Sequence, residues 1–313
     1  MEHRFLISRL SALGDVVCSL PAAAALKKGF PASHITWVVD PRFAEIVECC
    51  SMVDAVVKAR PGLSPWTWPN IDGEFDAALD LQGLFKSGVV VARAKAGAKV
   101  GFHWQREGAW LFSRQVLPDP TSLHVVDQYV DVARALGGIA DKAVFALAPK
   151  PTDTVAIQAK LNSSGVAAPY VVMNPGAGWS TKRWPLEHCA RLIGLLAEKG
   201  LQSVLIGGRS ASDREVVAQV VERCGHPVTN FAGETTVGEL VALISSCAVH
   251  VGGDTGSSHI AAALDRPAVG LYSITRPRRS CPYGRLQWCL YNARGLAEIQ
   301  PEGVLATMME AMA

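Results

Sequence analysis

The residues best suited to chemistry lie in Gly252-Gly253-Asp254-Thr255-Gly256-Ser257-Ser258-His259. The apolar run 248–251 before them reads as a short buried strand, and 260–264 after them as an alanine-rich helix. A strand that passes through a glycine turn into a helix offers free backbone N–H groups and the positive end of a helix dipole to an anion. Asp254 in the same turn is a carboxylate suited to sugar hydroxyls. The plain alternative is that Asp254 or Thr255 only caps the helix.

Two other turns have the same character. Asn174-Pro-Gly176-Ala-Gly178-Trp-Ser-Thr-Lys182-Arg183-Trp184-Pro185 follows an apolar strand at 170–173, and Pro185 suits the first turn of a helix. Gly176 and Gly178 let the backbone approach a phosphate, and Lys182 supplies a point charge. The third glycine of a dinucleotide fingerprint is missing, and a solvated loop is the other reading of Lys182 and Arg183. Ser11-Ala-Leu-Gly14-Asp15 sits after the first apolar strand. Asp15 there is either a helix cap or a carboxylate able to take a proton from an attacking hydroxyl.

Strands alternating with helices must carry these turns. Strands are expected near 5–10, 34–39, 53–57, 76–81 and 99–102, with helices at 16–20, 41–47, 84–95 and 125–136. Pro21 is expected to kink or restart the first helix. The stretch 138–154 has little periodicity and two prolines, and reads as a domain linker. The alternation then resumes, with strands at 170–173, 203–206, 248–251 and 268–272. Helices at 185–199, 213–224, 237–246 and 301–312 accompany them. Such alternation implies βαβ units and mostly parallel sheets. Two α/β halves, 1–148 and 149–313, leave a cleft between their strand ends, with the last helix free to pack back on the first half.

The 313 residues are 49% hydrophobic and 19% charged, which fits two well-buried domains without a disordered tail. A net charge of +2 gives no argument for nucleic acid. The eight cysteines include no C-x-x-C pair and read as reduced thiols rather than disulfides or a zinc site. The short apolar run 20–26 has acidic and basic residues on the wrong sides for a signal peptide. No apolar stretch is long enough to span a bilayer, so a soluble, cytoplasmic protein is expected, with contact at the inner face of the cytoplasmic membrane left open.

Taken together, six pieces resemble the lipopolysaccharide heptosyltransferase family, glycosyltransferase family nine. They are S-A-L-G-D with L-P-A (11–22), W-V-V-D (37–40), D-L-Q-G-L-F-K-S (80–87), G-F-H-W-Q-R-E (101–107), N-P-G-A-G-W-S-T-K-R-W-P (174–185) and G-D-T-G-S-S-H-I-A-A-A-L-D-R-P (253–267). They span nearly the whole chain in the family's order, and 80–87 and 101–114 are most like the heptosyltransferase I branch. One piece departs from the pattern: a long basic segment of that branch is replaced by the short Arg60-Pro-Gly-Leu-Ser-Pro-Trp66-Thr-Trp68-Pro-Asn.

The resemblance implies the α/β GT-B fold, two Rossmann-like domains with parallel sheets facing across a cleft, the first for acceptor and the second for nucleotide sugar. It implies an inverting, metal-independent glycosyltransferase, without cofactor and expected as a monomer. The implied reaction moves L-glycero-D-manno-heptose from ADP-heptose to a lipid-linked or core oligosaccharide acceptor (Kdo–lipid A or a core heptose). Asp15 would be the general base, and Lys182 would neutralise charge on the leaving diphosphate. Gly176, Gly178, Thr255 and Gly256 would bind the donor's diphosphate, and Asp254 the transferred sugar with His259 beside it. Asp213 would take the ribose. Gly14, Lys86, Arg106 and Arg60 would meet the acceptor. Other readings are the same fold using another nucleotide sugar or acceptor, a sugar-nucleotide epimerase, or a non-catalytic sugar-nucleotide-binding protein.

Overall fold

A computed structural model describes residues 2–62, 64, 67–176 and 183–313. The chain divides into two units, Met1–Leu147 and Ala148–Ala313. The first contains β1 (Arg4–Ser8), α1 (Leu13–Gly29), β2 (His34–Val39), α2 (Ala44–Glu48) and β3 (Ala55–Lys58). It continues with β4 (Glu74–Asp80), α3 (Phe85–Arg93), β5 (Lys95–Phe102), β6 (Arg114–Val116) and α4 (Val125–Arg134). Its sheet has the order β3-β2-β1-β4-β5-β6 and every described pairing is parallel. The strands in the middle are buried on both faces, which is why they read as near-continuous apolar runs such as Ile35-Thr-Trp-Val-Val39. Trp37 is fully buried, and its indole N–H donates to the Arg9 carbonyl at 3.2 Å, so the largest core side chain also fixes the backbone after β1.

The second unit contains α5 (Pro151–Ser163), β7 (Tyr170–Asn174), α6 (Leu186–Glu198), β8 (Gln202–Leu205), α7 (Ala211–Cys224) and β9 (Thr229–Asn230). After these come α8 (Val237–Ser245), β10 (Val249–Gly252), α9 (Gly256–Ala263), β11 (Ala268–Tyr272), α10 (Pro277–Ser280), β12 (Cys289–Tyr291) and α11 (Pro301–Met312). The order is β12-β11-β10-β7-β8-β9, again parallel throughout its described pairings. Val304 and Met308 of α11 are fully buried, and the helix packs against α6 and against β10 and β11 of this same unit. Trp184 belongs to that core, with its indole N–H donating to the Ile299 carbonyl at 3.0 Å.

Local differences from the sequence expectation have physical causes. Pro21 sits inside one helix running from Leu13 to Gly29 rather than restarting it. The expected linker 138–154 runs into α5, because Pro151 occupies the first helical turn, where its missing N–H costs nothing. The strands β6, β9 and β12 went unread, and all three are sheet edges of two or three residues, too short to show a strand period. None of the eight cysteines is in a disulfide, and among the described residues no helix is long and apolar enough to cross a membrane.

Candidate functional site

Both units carry their candidate residues on the loops that leave the C-terminal ends of their strands, where open α/β sheets bind ligands. In the first unit the loop after β1 carries Asp15 into the first turn of α1. Its carboxylate is half exposed, and Oδ2 accepts from Arg9 Nη2 at 3.0 Å and from the Ala12 N–H at 3.4 Å. Arg9 itself is buried. Its Nη1 donates to the Leu81 carbonyl at 2.5 Å, and the guanidinium lies 5.2 Å from the centre of the Tyr129 ring. Burial works against its charge, but Tyr129 and Asp15 outweigh that cost and hold its pKa above the ordinary arginine value.

The loop after β4 braces this turn. Asp80 Oδ1 accepts from the N–H groups of Gln82 and Gly83, each at 2.9 Å. Desolvation raises the pKa of that fully buried carboxyl. Gln82 Oε1 in turn accepts from the Leu10 and Ser11 N–H groups at 2.9 and 3.3 Å. Lys86 Nζ donates to Ser11 Oγ at 3.3 Å, which brings an acceptor candidate to the Asp15 turn. Gly83 has φ +70° and lies so close to the loop after β5 that a Cβ would be 2.5 Å from the Trp104 carbonyl. Its own carbonyl accepts from the Arg106 N–H at 2.7 Å, and the Arg106 guanidinium lies 5.4 Å from the Trp104 ring centre.

Thus Gly14, Asp15, Lys86 and Arg106 lie on one set of interlocked loops. Arg60 is held elsewhere: Nε and Nη2 bind the two oxygens of Asp40 at 3.1 Å each, and Arg42 binds them too. These arginines hold the Asp40 carboxyl well below its usual range against the opposing effect of burial. Of the tryptophans in the 60–70 loop, Trp66 lies outside the described residues, and Trp68 Nε1 donates to the Gly62 carbonyl at 3.0 Å.

In the second unit three segments meet through side chains. Asn174, the last residue of β7, accepts through Oδ1 from the Gly176 N–H at 3.0 Å. Its Nδ2 donates to Ser257 Oγ at 2.9 Å and lies 3.4 Å from Thr255 Oγ1. Ser257 Oγ lies 3.0 Å from Thr255 Oγ1 and 3.0 Å from Nε2 of His250. His250, on β10, is fully buried, and burial, with His259 as a lesser influence, pushes its pKa down to about 3. The imidazole is therefore neutral, a polar peg beneath the start of α9. Ser258 Oγ donates to the Gly253 carbonyl at 2.8 Å, which closes the turn. Thr255 is the N-cap of α9 but makes no side-chain cap bond, and the Ser258 N–H goes to the Thr255 carbonyl at 3.2 Å, which leaves the Gly256 and Ser257 N–H groups as the first-turn donors suited to an anion. Asp254 Oδ1 lies 3.7 Å from His259 Nε2.

Asp213 is in the first turn of α7, where Oδ2 accepts from Ser210 Oγ at 2.7 Å. A Cβ on Gly208 would come within 2.5 Å of Asp213 Oδ2, so that glycine makes room for the carboxylate. Added to Gly176, a Cβ would lie 3.6 Å from Asp213 Oδ1, which makes the two loops neighbours. Gly178 and Lys182 lie outside the described residues; Arg183 Nη2 donates to Ser212 Oγ at 3.1 Å. Arg9, Gln82, His250 and Ser257 were not assigned from sequence. The available signal was polarity in the wrong place: an arginine, a glutamine and a histidine in or directly after buried strands.

The sequence pattern of glycosyltransferase family 9 (heptosyltransferase) matches residues 70–303. The chain is 27% identical over 288 residues to the lipopolysaccharide core heptosyltransferase OpsX of Haemophilus influenzae, covering 90% of this chain and 82% of OpsX. It is 30% identical over 309 residues to lipopolysaccharide heptosyltransferase 1 of Escherichia coli O18:K1:H7, covering 91% and 90%. The structure of E. coli heptosyltransferase WaaC with ADP matches with a TM-score of 0.80 at 26% identity, covering 98% of this chain and 99% of that one. The same enzyme with ADP-2-deoxy-2-fluoro heptose matches with a TM-score of 0.75 at 25% identity, covering 98% and 99%.

Proposed function

The chain belongs to glycosyltransferase family 9, the heptosyltransferases, and from that premise we propose that it transfers L-glycero-D-manno-heptose from ADP-heptose to a lipopolysaccharide inner-core acceptor with inversion at the anomeric carbon. That it is a glycosyltransferase of the GT-B fold follows from the family; the donor, acceptor and stereochemistry are our reading. The ADP and ADP-2-deoxy-2-fluoro heptose bound by the E. coli relative support the donor.

The mechanism draws half of its machinery from each unit. Asp15 takes the proton of the acceptor hydroxyl as its oxygen bonds to the anomeric carbon of the donor. The bond from that carbon to the diphosphate oxygen breaks, and ADP leaves with the electron pair. Backbone N–H groups at Thr255 and Gly256 and the dipole of α9 stabilise the diphosphate, together with Gly176, Gly178 and Lys182. Asp254, with His259 beside it, holds hydroxyls of the heptose, and Asp213 the ribose. Lys86 and Arg106 give the acceptor side its positive charge. Arg60 joins them only by leaving Asp40.

One observation carries this reading: Asp15 is a carboxylate with one oxygen tied to a buried arginine and half of its surface open. That is the state a general base needs, oriented yet accessible. The test is a panel of ADP-, UDP- and GDP-sugars incubated with truncated core acceptors with and without a terminal Kdo, following nucleotide release. ADP release that needs both ADP-heptose and a core acceptor supports the reading. Release with another nucleotide sugar, or from donor alone, overturns it.

A further inference from the structure

His250 is an unusual residue for the middle of a sheet. It lies on β10 without access to water, between Val249 and Val251, and its Nδ1 has no hydrogen-bond partner among the described residues. A buried polar atom left unpaired works against folding. Among the described residues the ring makes one hydrogen bond, between Nε2 and Ser257 Oγ at 3.0 Å. That hydroxyl is itself buried, and it also meets Asn174 Nδ2 at 2.9 Å and Thr255 Oγ1 at 3.0 Å.

The protons around Ser257 have one consistent direction. Asn174 Oδ1 accepts from the Gly176 N–H, so the amide is turned with Nδ2 toward Ser257, and Nδ2 can only donate. A neutral imidazole carries one N–H. On Nδ1 it would be a buried donor without an acceptor. On Nε2 it reaches Ser257 Oγ and leaves only a lone pair unmet on Nδ1, the smaller of the two penalties. Ser257 Oγ then accepts from both Asn174 and His250, and its own proton goes to Thr255 Oγ1. Ser258 donates to the Gly253 carbonyl, so toward Thr255, at 3.3 Å, it can only accept. The chain of donors runs from His250 through Ser257 to Thr255, and the Thr255 hydroxyl keeps a proton to give. Thr255 is partly exposed at the start of α9, next to the Gly256 and Ser257 N–H groups.

We infer that His250 is a positioning residue for the donor's diphosphate: by donating to Ser257, it makes the Thr255 hydroxyl present a proton rather than a lone pair to the phosphate oxygens. The opposite tautomer would reverse the chain. Ser257 would donate to Nε2, its second lone pair would draw the Thr255 proton inward, and the hydroxyl would show the anion a lone pair. The site of one ring proton therefore decides between attraction and repulsion at the mouth of α9. This inference rests on the proposed role of the α9 start in holding the diphosphate. Charge grows on that group as its bond to the sugar breaks, so an O–H donor fixed beforehand helps the transition state more than the bound donor.

The test reads tautomer and affinity separately on the full chain. With nitrogen-15-labelled histidine at neutral pH, the ring signals missing from His250→Gln should be those of a neutral Nε2–H imidazole. An Nδ1–H tautomer overturns the inference whatever the donor is. By calorimetry, His250→Leu and Ser257→Ala should each lose ~10-fold in ADP affinity, the scale of one hydrogen bond to a charged group, with adenosine affinity unchanged. The serine variant carries the test if the leucine variant does not fold. His250→Gln, which keeps an N–H toward Ser257, should stay within ~3-fold of wild type for ADP. Thr255→Val should cost ~10-fold alone but under ~3-fold in the His250→Leu background, because the two changes remove the same donor. Equal losses for ADP and adenosine, a glutamine variant no better than leucine, or additive costs would reduce His250 to packing and overturn the inference. A wild-type chain that shows the Nε2–H tautomer yet binds no ADP would count against the proposed donor and leave the relay standing.

Discussion

Arg9 and Asp15 form a pair of unequal burial: a guanidinium almost without access to water lies 3.0 Å from a carboxylate with half its surface open. The buried partner cannot move far. Its other arm is fixed on the Leu81 carbonyl, its face on Tyr129, and its own carbonyl on Trp37. The exposed partner is therefore aimed by a rigid core through its Oδ2, with half of its surface still open.

Asp15→Asn should leave that geometry nearly intact, because an amide oxygen still accepts from Arg9. Transfer should fall by about two to four powers of ten, the usual worth of general-base help. Donor affinity, set by the second unit, should hardly change. Calorimetric ADP binding beside steady-state transfer checks both halves. A near-wild-type rate would return Asp15 to the role of a helix cap.

Arg9→Lys keeps a positive charge but cannot reach Leu81 and Asp15 together, since an ammonium lacks the guanidinium fork. The expected outcome is a kcat lowered by about 10²-fold, the scale of a small misplacement of a catalytic group, with KM for the donor unchanged. Arg9→Leu goes further and removes the cation nearest the buried Asp80. It should lower stability by about 3 kcal/mol, measured by urea denaturation. A leucine variant as stable as the wild type would mean the pair does not brace the fold.

Lys182 is proposed to meet diphosphate charge that grows as the bond breaks. Lys182→Ala should cost on the order of 2–4 kcal/mol in transition-state stabilisation, read from kcat/KM with ADP-heptose. A companion measurement is turnover in excess EDTA. Among the described residues no three of His, Cys, Asp and Glu are grouped as a metal would need. The rate should match that with added magnesium. A loss that metal restores would shift charge neutralisation from Lys182 to a cation.

His250 makes stability depend on pH in a defined direction. Its pKa is about 3 in the folded chain and about 6.5 when unfolded. Between these values the unfolded chain binds a proton that the folded chain does not, so the stability contributed above pH 6.5 is lost as pH falls toward 3. The slope is about 1.4 kcal/mol per pH unit for one group. His250→Gln, which retains a side-chain N–H able to reach Ser257, should be less sensitive to acid by that slope. Urea midpoints at pH 7, 6 and 5 for both proteins check it. Parallel curves would show that His250 is not held neutral.

Much of this was legible in the chain. The turns around Asp15, Gly176 and Asp254 each follow an apolar run, and period and glycine together place them on strand ends. The supports were less legible because each depends on contacts distant in sequence. Gln82 matters by reaching Leu10 and Ser11, and His250 by lying under Ser257. Arg60 shows the converse, since Asp40, twenty residues earlier, captures a cation that local composition offers to the acceptor.

The brevity of the outer strands has a consequence for crowded solution. Both sheets end in short pieces: β3 has four residues, β6 and β12 three each, and β9 two. A passing chain that tried to add itself to either sheet would find only a few backbone donors and acceptors before the ladder stopped. Edges that short are poor templates for strand addition, so chains rich in buried β-structure can be concentrated without zipping together through their sheets.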